Sequence, residues 1–215
     1  MKTIITSIIM TVVLTVLVGI LYPLAMTGIA QLLFPDKANG SLVMHDGKVV
    51  GSSLIGQSFG SPKFFHGRPS AAGTGYDGMA SGGSNLGPTS KALMDRITHD
   101  RDSLRALYPE LAGTFPADML TTSGSGLDPD ISVANAMLQA KIVARTNALP
   151  LETVESLVKS HIQGRDLGFL GEEHVNVLEL NLDLMSKVSG AGSPVSEKAH
   201  TDSVTKTTDT LHPKP

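Results

Sequence analysis

Hydrophobic residues are concentrated at the N-terminus, where no charged side chain occurs from Thr3 to Pro35. An apolar run of this length exceeds the roughly 20 residues that a helix needs to cross a bilayer. We therefore predict a transmembrane anchor over residues 1–34. Because proline lacks an amide hydrogen, Pro23 is expected to kink this helix or to end its straight part.

A cleaved signal peptide is the alternative interpretation of this segment. Lys2 supplies a minimal positive charge, and Gly28-Ile29-Ala30 offers small residues at a plausible cleavage site. The apolar run continues past that site, which favours an uncleaved anchor with its N-terminus inside. Both interpretations put the rest of the chain outside the cytoplasm.

The next pattern is a pair of short apolar runs on either side of Asp46-Gly47. This dipeptide suits a type I′ turn, so residues 41–50 predict a β-hairpin. Residues 51–87 are rich in Gly, Ser and Pro and show little periodicity, which predicts a long ordered loop of the kind that often carries function. Because this loop has few large apolar residues, we expect its partners to hold it in one conformation.

Three later segments show the apolar spacing of helices. The first begins at Pro88 and ends before Pro109. The second opens at Asp128-Pro129, where Asp128 is the predicted N-cap. The third covers residues 151–161. The last apolar segment, residues 175–184, alternates leucine with polar residues and predicts a strand with one buried face.

Large apolar residues are almost absent beyond residue 187, which predicts a disordered tail over residues 188–215. The expected organisation is an anchor, a soluble domain over residues 35–187 and this tail. The fold class is α+β, with a single N-terminal transmembrane helix followed by one small mixed α/β soluble domain.

The composition of the chain excludes several kinds of function. With a formal net charge of −3, the chain lacks the basic surface that binding to nucleic acid needs. The chain has no cysteine, which excludes disulfides and cysteine nucleophiles. Its seven histidines lie far apart, so no metal site is predicted. Ser156 and Lys159 have the spacing of penicillin-recognising enzymes, but the accompanying motifs are absent, which favours a solvated helix face.

Residues 121–132, TTSGSGLDPDIS, run from a Gly-rich turn into the second predicted helix. Free backbone N–H groups at such a turn can hold phosphate. The segment lacks the Gly-Lys-Ser/Thr ending of a phosphate-binding P-loop. Taken alone, it predicts a helix cap.

Several longer sequence phrases occur in order between about residues 22 and 182. They are Tyr22-Pro23-Leu24, Thr27-Gly28, Phe34-Pro35, Asn39-Gly40-Ser41-Leu42, GSSLIGQ at 51–57, FHGRPSA at 65–71, SGGSNLGP at 81–88, SGSGLDP at 123–129 and VNVLELN at 175–181. Together they resemble the C subunit of the Kdp-type potassium-transporting P-type ATPase. The chain departs from that family at Asp130, where many relatives carry histidine, and in its tail beyond residue 187.

The resemblance implies a non-catalytic accessory subunit of the inner membrane with a periplasmic soluble domain. Its implied partners are a potassium-channel-like subunit and a P-type ATP-hydrolysing subunit of the same complex. The family's C subunit is described as a catalytic chaperone that raises the ATP affinity of the hydrolysing subunit. No intrinsic cofactor is implied, and ATP would come through the hydrolysing subunit.

A periplasmic domain lies across the membrane from cytoplasmic nucleotide, and the long uncharged segment is the stronger physical constraint. We therefore expect residues 121–128 to act as a cap and docking surface rather than a nucleotide cradle. Arg68, Asn85 and Asp128 are the expected docking or structural residues, Arg68 because its planar fork can hold carbonyls or a carboxylate. Gln139 is the residue nominated for any nucleotide contact.

A membrane-anchored periplasmic enzyme of unknown substrate is the rival hypothesis from another functional class. In that case the Gly-rich loop of residues 51–87 would be its active-site lid. The sequence offers no identifiable nucleophile, base or metal site for such an enzyme.

Overall fold

The computed structural model describes residues 1–109, 111 and 113–190. Its first feature is a continuous apolar helix from Lys2 to Leu33, 32 residues long. The helix has a mean hydropathy of 2.7 over its apolar window, and none of that window is buried. Among the described residues it is the one helix long and apolar enough to cross a membrane.

Pro23 does not end this helix. The chain is α-helical over Lys2–Leu14 (α1), π-helical over Thr15–Leu21, and α-helical again over Tyr22–Leu33 (α2). A proline lacks its own N–H and crowds the carbonyl four residues earlier. The wider π-helical turns immediately before Pro23 are where the helix absorbs that irregularity.

A short helix, Pro35–Ala38 (α3), leads from the anchor into the predicted β-hairpin. Strands Leu42–His45 (β1) and Lys48–Ser52 (β2) pair antiparallel. Asp46 and Gly47 connect them with φ values of +49° and +74°. Two left-handed residues define a type I′ turn, so the hairpin prediction is confirmed.

Residues 53–90 contain no described helix or strand, as predicted for an ordered loop. The domain itself anchors part of this loop, and the expectation that partners also hold it stays a prediction. Phe65 and Ala72 are fully buried, and buried polar groups bind the backbone between them. We call residues 53–90 the long loop.

Helix α4 (Lys91–Leu107) confirms the helix predicted after Pro88. It has no fully buried residue and lies on a small second core with helix α5 (Ala117–Leu120). That core consists of Leu111, Phe115, Leu120 and Ile142, against which Ile97, Leu104 and Tyr108 pack.

The predicted helix start at Asp128 is wrong. Residues Asp130–Ser132 form strand β3, and the helix begins after them as α6 (Val133–Thr146). Ser132 is the N-cap, with its side chain accepting from the Asn135 N–H. The chain stays extended through Ile131 because β3 pairs with residues of another strand, and such tertiary pairing overrides local cap signals.

The strand predicted over residues 175–184 is correct only for its first two residues and wrong from Val177 onward. After helix α7 (Leu151–Ser160), which confirms the third predicted helix, come two short strands, Ile162–Gln163 (β4) and His174–Asn176 (β5). The chain then turns directly into helix α8 (Val177–Gly190). The Asn176 side chain accepts from the Glu179 N–H at 3.2 Å and so starts the helix.

A three-stranded antiparallel sheet in the order β3-β5-β4 packs against α6 and α8, and α7 packs against these two helices. The main core fills this space. Its buried members are Phe65, Ile131, Ala136, Ala140, Val143, Ala144, Val154, Leu157, Val158, Val175, Val177, Leu180 and Leu184. The α+β class is confirmed. Residues 188–190 of the predicted disordered tail belong to α8, and its remainder lies outside the described residues.

Candidate functional site

Arg68 is the centre of the most connected polar site in the described domain. Its Nη1 donates to the Asp128 carboxylate at 3.0 Å and its Nη2 to the Thr122 carbonyl at 3.1 Å. Its Nε reaches the Thr121 carbonyl at 3.4 Å. The planar fork thus makes both kinds of contact anticipated from the sequence and ties the long loop to residues 121–128. We call these contacts the Arg68 clamp.

Asp128 serves the clamp and a turn rather than a helix N-cap. One carboxylate oxygen, Oδ2, accepts from Arg68, while Oδ1 accepts from the Asp130 N–H at 3.1 Å. The side chains of Arg68 and Asp128 are about one quarter and one third exposed. The predicted cap role fails because Ser132, four residues later, caps α6 and also donates its hydroxyl to Asp118.

Two backbone N–H groups of the Gly-rich turn, those of Gly126 and Leu127, donate within the turn. The N–H of Gly126 donates to the Ser123 hydroxyl at 2.9 Å and that of Leu127 to the Ser125 hydroxyl at 3.1 Å. Ser125 in turn accepts from the Gly82 N–H through its carbonyl. These donors are therefore engaged by the protein's own oxygens rather than aimed outward at a phosphate.

Gly126 is required by the packing of this turn. Its φ is +68°, and an added Cβ would lie 2.6 Å from the Gly82 carbonyl oxygen and 2.7 Å from the Ala72 nitrogen. A Cβ added at Gly124 would meet no atom within 4 Å. The two glycines of the turn therefore differ, since one allows close backbone approach and the other faces open space.

Gln139 holds the long loop from the opposite side. Its Oε1 accepts from the His66 N–H at 2.8 Å, and its Nε2 donates to the His66 carbonyl at 3.0 Å and to Asn135 at 2.9 Å. The residue is 3% exposed. Both amide hydrogens are thus committed within the chain, so a nucleotide contact through them would require this contact to open.

Asn181 makes the same kind of contact with Phe65, the residue before His66. The sequence analysis did not predict this contact. Its Oδ1 accepts from the Phe65 N–H at 2.8 Å and its Nδ2 donates to the Phe65 carbonyl at 2.9 Å. Asn181 is 1% exposed. An amide inside the leucine-rich run of residues 178–184 is the signal that could have found it, because a buried polar side chain must have partners. Asn181 and Gln139 together form the amide pair.

A cavity of about 340 Å³ lies beside Gln139. Apolar and aromatic side chains of the long loop, α4 and α6 dominate its lining, with His66, Arg68, Tyr76 and Gln139 as polar members. Burial lowers the pKa of His66, opposed by a backbone hydrogen bond with Phe59. Burial, and then the Asp128 charge, raise the pKa of Tyr76, whose hydroxyl donates to the Arg68 carbonyl. These groups favour uncharged forms, and the cavity suits an apolar group.

Asn85 lies at the surface of the domain. It is exposed and has a φ of +52°, a conformation that asparagine tolerates better than most residues. The structure therefore brings Arg68 and Asp128 into contact, puts Gln139 on the neighbouring cavity wall, and leaves Asn85 on the outer side of the long loop. The roles of these four residues in a larger complex remain predictions.

Asp130 forms a separate pair with the neighbouring strand. Its Oδ1 accepts from the Asn176 amide at 3.1 Å, and its Oδ2 lies 3.8 Å from Nε2 of His174. Burial raises the pKa of Asp130, and the nearby His174 opposes this shift. Position 130 is where the sequence departs from the family pattern. The Asp130 carboxylate at this position thus joins β3 to β5.

Within the described ranges, no group of three or more His, Cys, Asp or Glu side chains could hold a metal ion. Ser156 and Lys159 both lie exposed on α7, the solvated face that the sequence favoured. The connected polar residues of the site hold backbone segments in place.

Comparison with known proteins identifies the family. The model of the K⁺-transporting ATPase c chain, KdpC, matches residues 4–186. The chain is 54% identical over 184 residues to the potassium-transporting ATPase KdpC subunit of Koribacter versatilis (strain Ellin345), covering 85% of this chain and 94% of that protein. It is 56% identical over 181 residues to the KdpC subunit of Gemmatimonas aurantiaca, covering 84% and 90%. It is 56% identical over 168 residues to that of Caulobacter vibrioides (strain NA1000 / CB15N), covering 78% and 84%. The resemblance drawn from the sequence phrases is confirmed, and the chain belongs to the KdpC family, the c chain of K⁺-transporting ATPases.

Proposed function

We propose that this chain is a non-catalytic accessory subunit that supports assembly of an ATP-driven potassium uptake complex. The observation that carries the proposal is the anchor, a helix apolar on all sides with none of its apolar window buried by the domain. Such a helix needs lipid around it and leaves its whole surface open to the helices of other membrane proteins. The name of these relatives, potassium-transporting ATPase KdpC subunit, agrees with a place in such a complex.

The proposed partners are a potassium-channel-like subunit and a P-type ATP-hydrolysing subunit. We place the chain in the inner membrane as a single-pass protein with its soluble domain on the periplasmic side. Lys2 at the first position of the helix supports an internal N-terminus, because positive residues favour the cytoplasmic side.

We further propose that any gain in ATP affinity of the hydrolysing subunit is transmitted by docking, without contact between this domain and nucleotide. Two features support this. The N–H groups of Gly126 and Leu127 are donated to serine hydroxyls of their own turn. The amide hydrogens of Gln139 are likewise donated within the chain.

The test uses the complete complex, purified with a tag on this chain. Co-purification of both partners and K⁺-stimulated ATPase activity are expected for the wild type. The Gly124→Ser variant should leave ATP affinity unchanged, because position 124 faces open space. Loss of ATP affinity in a stably folded Gly124→Ser complex would restore a nucleotide cradle. Absence of both partners from the purified material would refute the accessory role itself.

A further inference from the structure

The connection between β4 and β5 projects from the sheet and carries three large apolar side chains. Every residue of the range 163–173 is exposed. Leu167 is 84% exposed, Phe169 69% and Leu170 49%. We call these three residues the apolar tip. Contiguous exposed apolar groups on a folded domain usually mark an interaction site.

The backbone presents the tip in a defined turn. Asp166 bridges to Leu170, whose N–H donates to the Asp166 carbonyl at 2.9 Å. Leu167 has a φ of +52°, a conformation in which glycine or asparagine is less strained than leucine. A bulky apolar residue kept in such a conformation points to a use for its side chain, because the turn itself would be more stable without it.

An ion pair closes the base of the turn. Nη2 of Arg165 donates to Oε2 of Glu172 at 2.5 Å, which links the two chain segments that lead to the tip. The apolar side chains are thus mounted on a turn fixed at two levels, the Asp166–Leu170 bridge and this pair. A fixed apolar projection loses little conformational entropy when it binds.

The charged residues around the tip distinguish between a lipid surface and a protein as the partner. Arg165, Asp166, Glu172 and Glu173 give the base of the tip a net charge of −2. Segments that enter lipid usually combine apolar residues with Lys or Arg, since headgroup surfaces are often anionic. An apolar centre with a charged rim is instead the usual anatomy of a protein interface.

We propose that the apolar tip docks into an apolar pocket, rimmed by Lys or Arg side chains, on another protein subunit of the same complex. Phe169 and Leu167 fill the pocket, while the carboxylates at the base of the tip face the basic rim. This inference rests on the accessory-subunit function proposed above. It adds a contact surface separate from the Arg68 clamp and from the anchor.

Thiol labelling tests the proposal directly. The chain has no cysteine, so Phe169→Cys introduces its only thiol. Met94→Cys is the matched control, because Met94 is a 52% exposed apolar residue on α4. Labelling of this chain by a water-soluble maleimide is followed by mass, for the full chain alone in detergent and for the purified complex. Assembly should slow labelling at Phe169→Cys by about tenfold or more, because a docked tip excludes reagent and water, and leave Met94→Cys nearly unchanged.

A second variant covers the case in which the cysteine disturbs assembly. Leu167→Asn removes the apolar group while relieving the left-handed turn. The full chain should melt at the same or a higher temperature, yet the complex should release it at lower salt than the wild type. Retention equal to that of the wild type would refute the docking role.

The remaining outcomes separate this inference from the proposed function. An active complex in which Phe169→Cys reacts as fast as in the chain alone would overturn the docking tip and leave the accessory function intact. Protection of Phe169→Cys when the chain is alone in vesicles of phosphatidylcholine and phosphatidylglycerol, but not in detergent, would assign the tip to lipid and also overturn the proposal. Failure to co-purify with any partner would refute the accessory function itself.

Discussion

Removal of the Arg68 fork should detach the long loop from residues 121–128. In Arg68→Ala the ion pair with Asp128 and the bonds to the carbonyls of Thr121 and Thr122 are all lost. Because both charged side chains are partly exposed, the ion pair contributes about 1 kcal/mol. The carbonyl bonds add about 0.5–1 kcal/mol each. We therefore expect the free energy of unfolding of the soluble domain to fall by about 2–3 kcal/mol.

Two conservative variants separate the contributions of the fork and of the ion pair to this loss of stability. Arg68→Lys keeps the charge but loses the fork, and should cost about 1–2 kcal/mol. Asp128→Asn retains the oxygen that accepts from Asp130 and should cost about 1 kcal/mol. A double-mutant cycle between Arg68→Ala and Asp128→Asn should give a coupling energy of about 1 kcal/mol.

Denaturant unfolding of the full chain in detergent measures these energies, and hydrogen exchange locates them. The amide of Gly82, bonded across to Ser125, should lose protection in Arg68→Ala. Amides of α7 should exchange as in the wild type. Additive single variants, or unchanged exchange at Gly82, would show that the clamp does not hold the loop.

Three further predictions concern other parts of the domain. Asn181→Ala leaves the buried N–H and carbonyl of Phe65 without their partners. The free energy of unfolding measured with denaturant should therefore fall by about 2–4 kcal/mol. A fall of less than about 0.5 kcal/mol would contradict this prediction. Gly126→Ala should strongly lower the melting temperature because its Cβ meets backbone atoms, whereas Gly124→Ala should be nearly neutral; equal melting temperatures would refute the packing argument. Because burial lowers the pKa of His66, the unfolded chain binds more protons below about pH 6.5, so stability should fall as pH drops through that range. His66→Gln should flatten this dependence, and an unchanged pH profile would exclude His66 as its source.

The sequence predicted elements correctly where a local signal and the tertiary structure agree. Asp46-Gly47 favours a turn of two left-handed residues wherever the flanking strands lie, so the hairpin follows from the dipeptide. The anchor follows from the length of its uncharged run. The Arg68 fork was also anticipated as a holder of carbonyls or a carboxylate, although nothing in the sequence said which ones.

The two errors arose where competing local signals were present. Asp128-Pro129 has the features of a helix start, but Ser132 lies at the true start and the strand between them is fixed by pairing with β5. The leucines of residues 178–184 alternate as in a strand, yet Asn176 and Glu179 have the spacing of a helix cap, and the cap prevails. The buried partners of Asn181 and Gln139 lie more than 70 residues away in the chain, beyond any local pattern.

The amide pair has a consequence for the order in which the domain forms. Asn181 binds the backbone of Phe65 across 116 positions of the chain, and contacts of such separation form late because a long segment must first be closed. The long loop therefore stays without its final conformation until residue 181 has been synthesised. A chain that crosses a membrane as it is made would arrive with residues 53–90 still extended, and the last described helix would complete the fold on the far side.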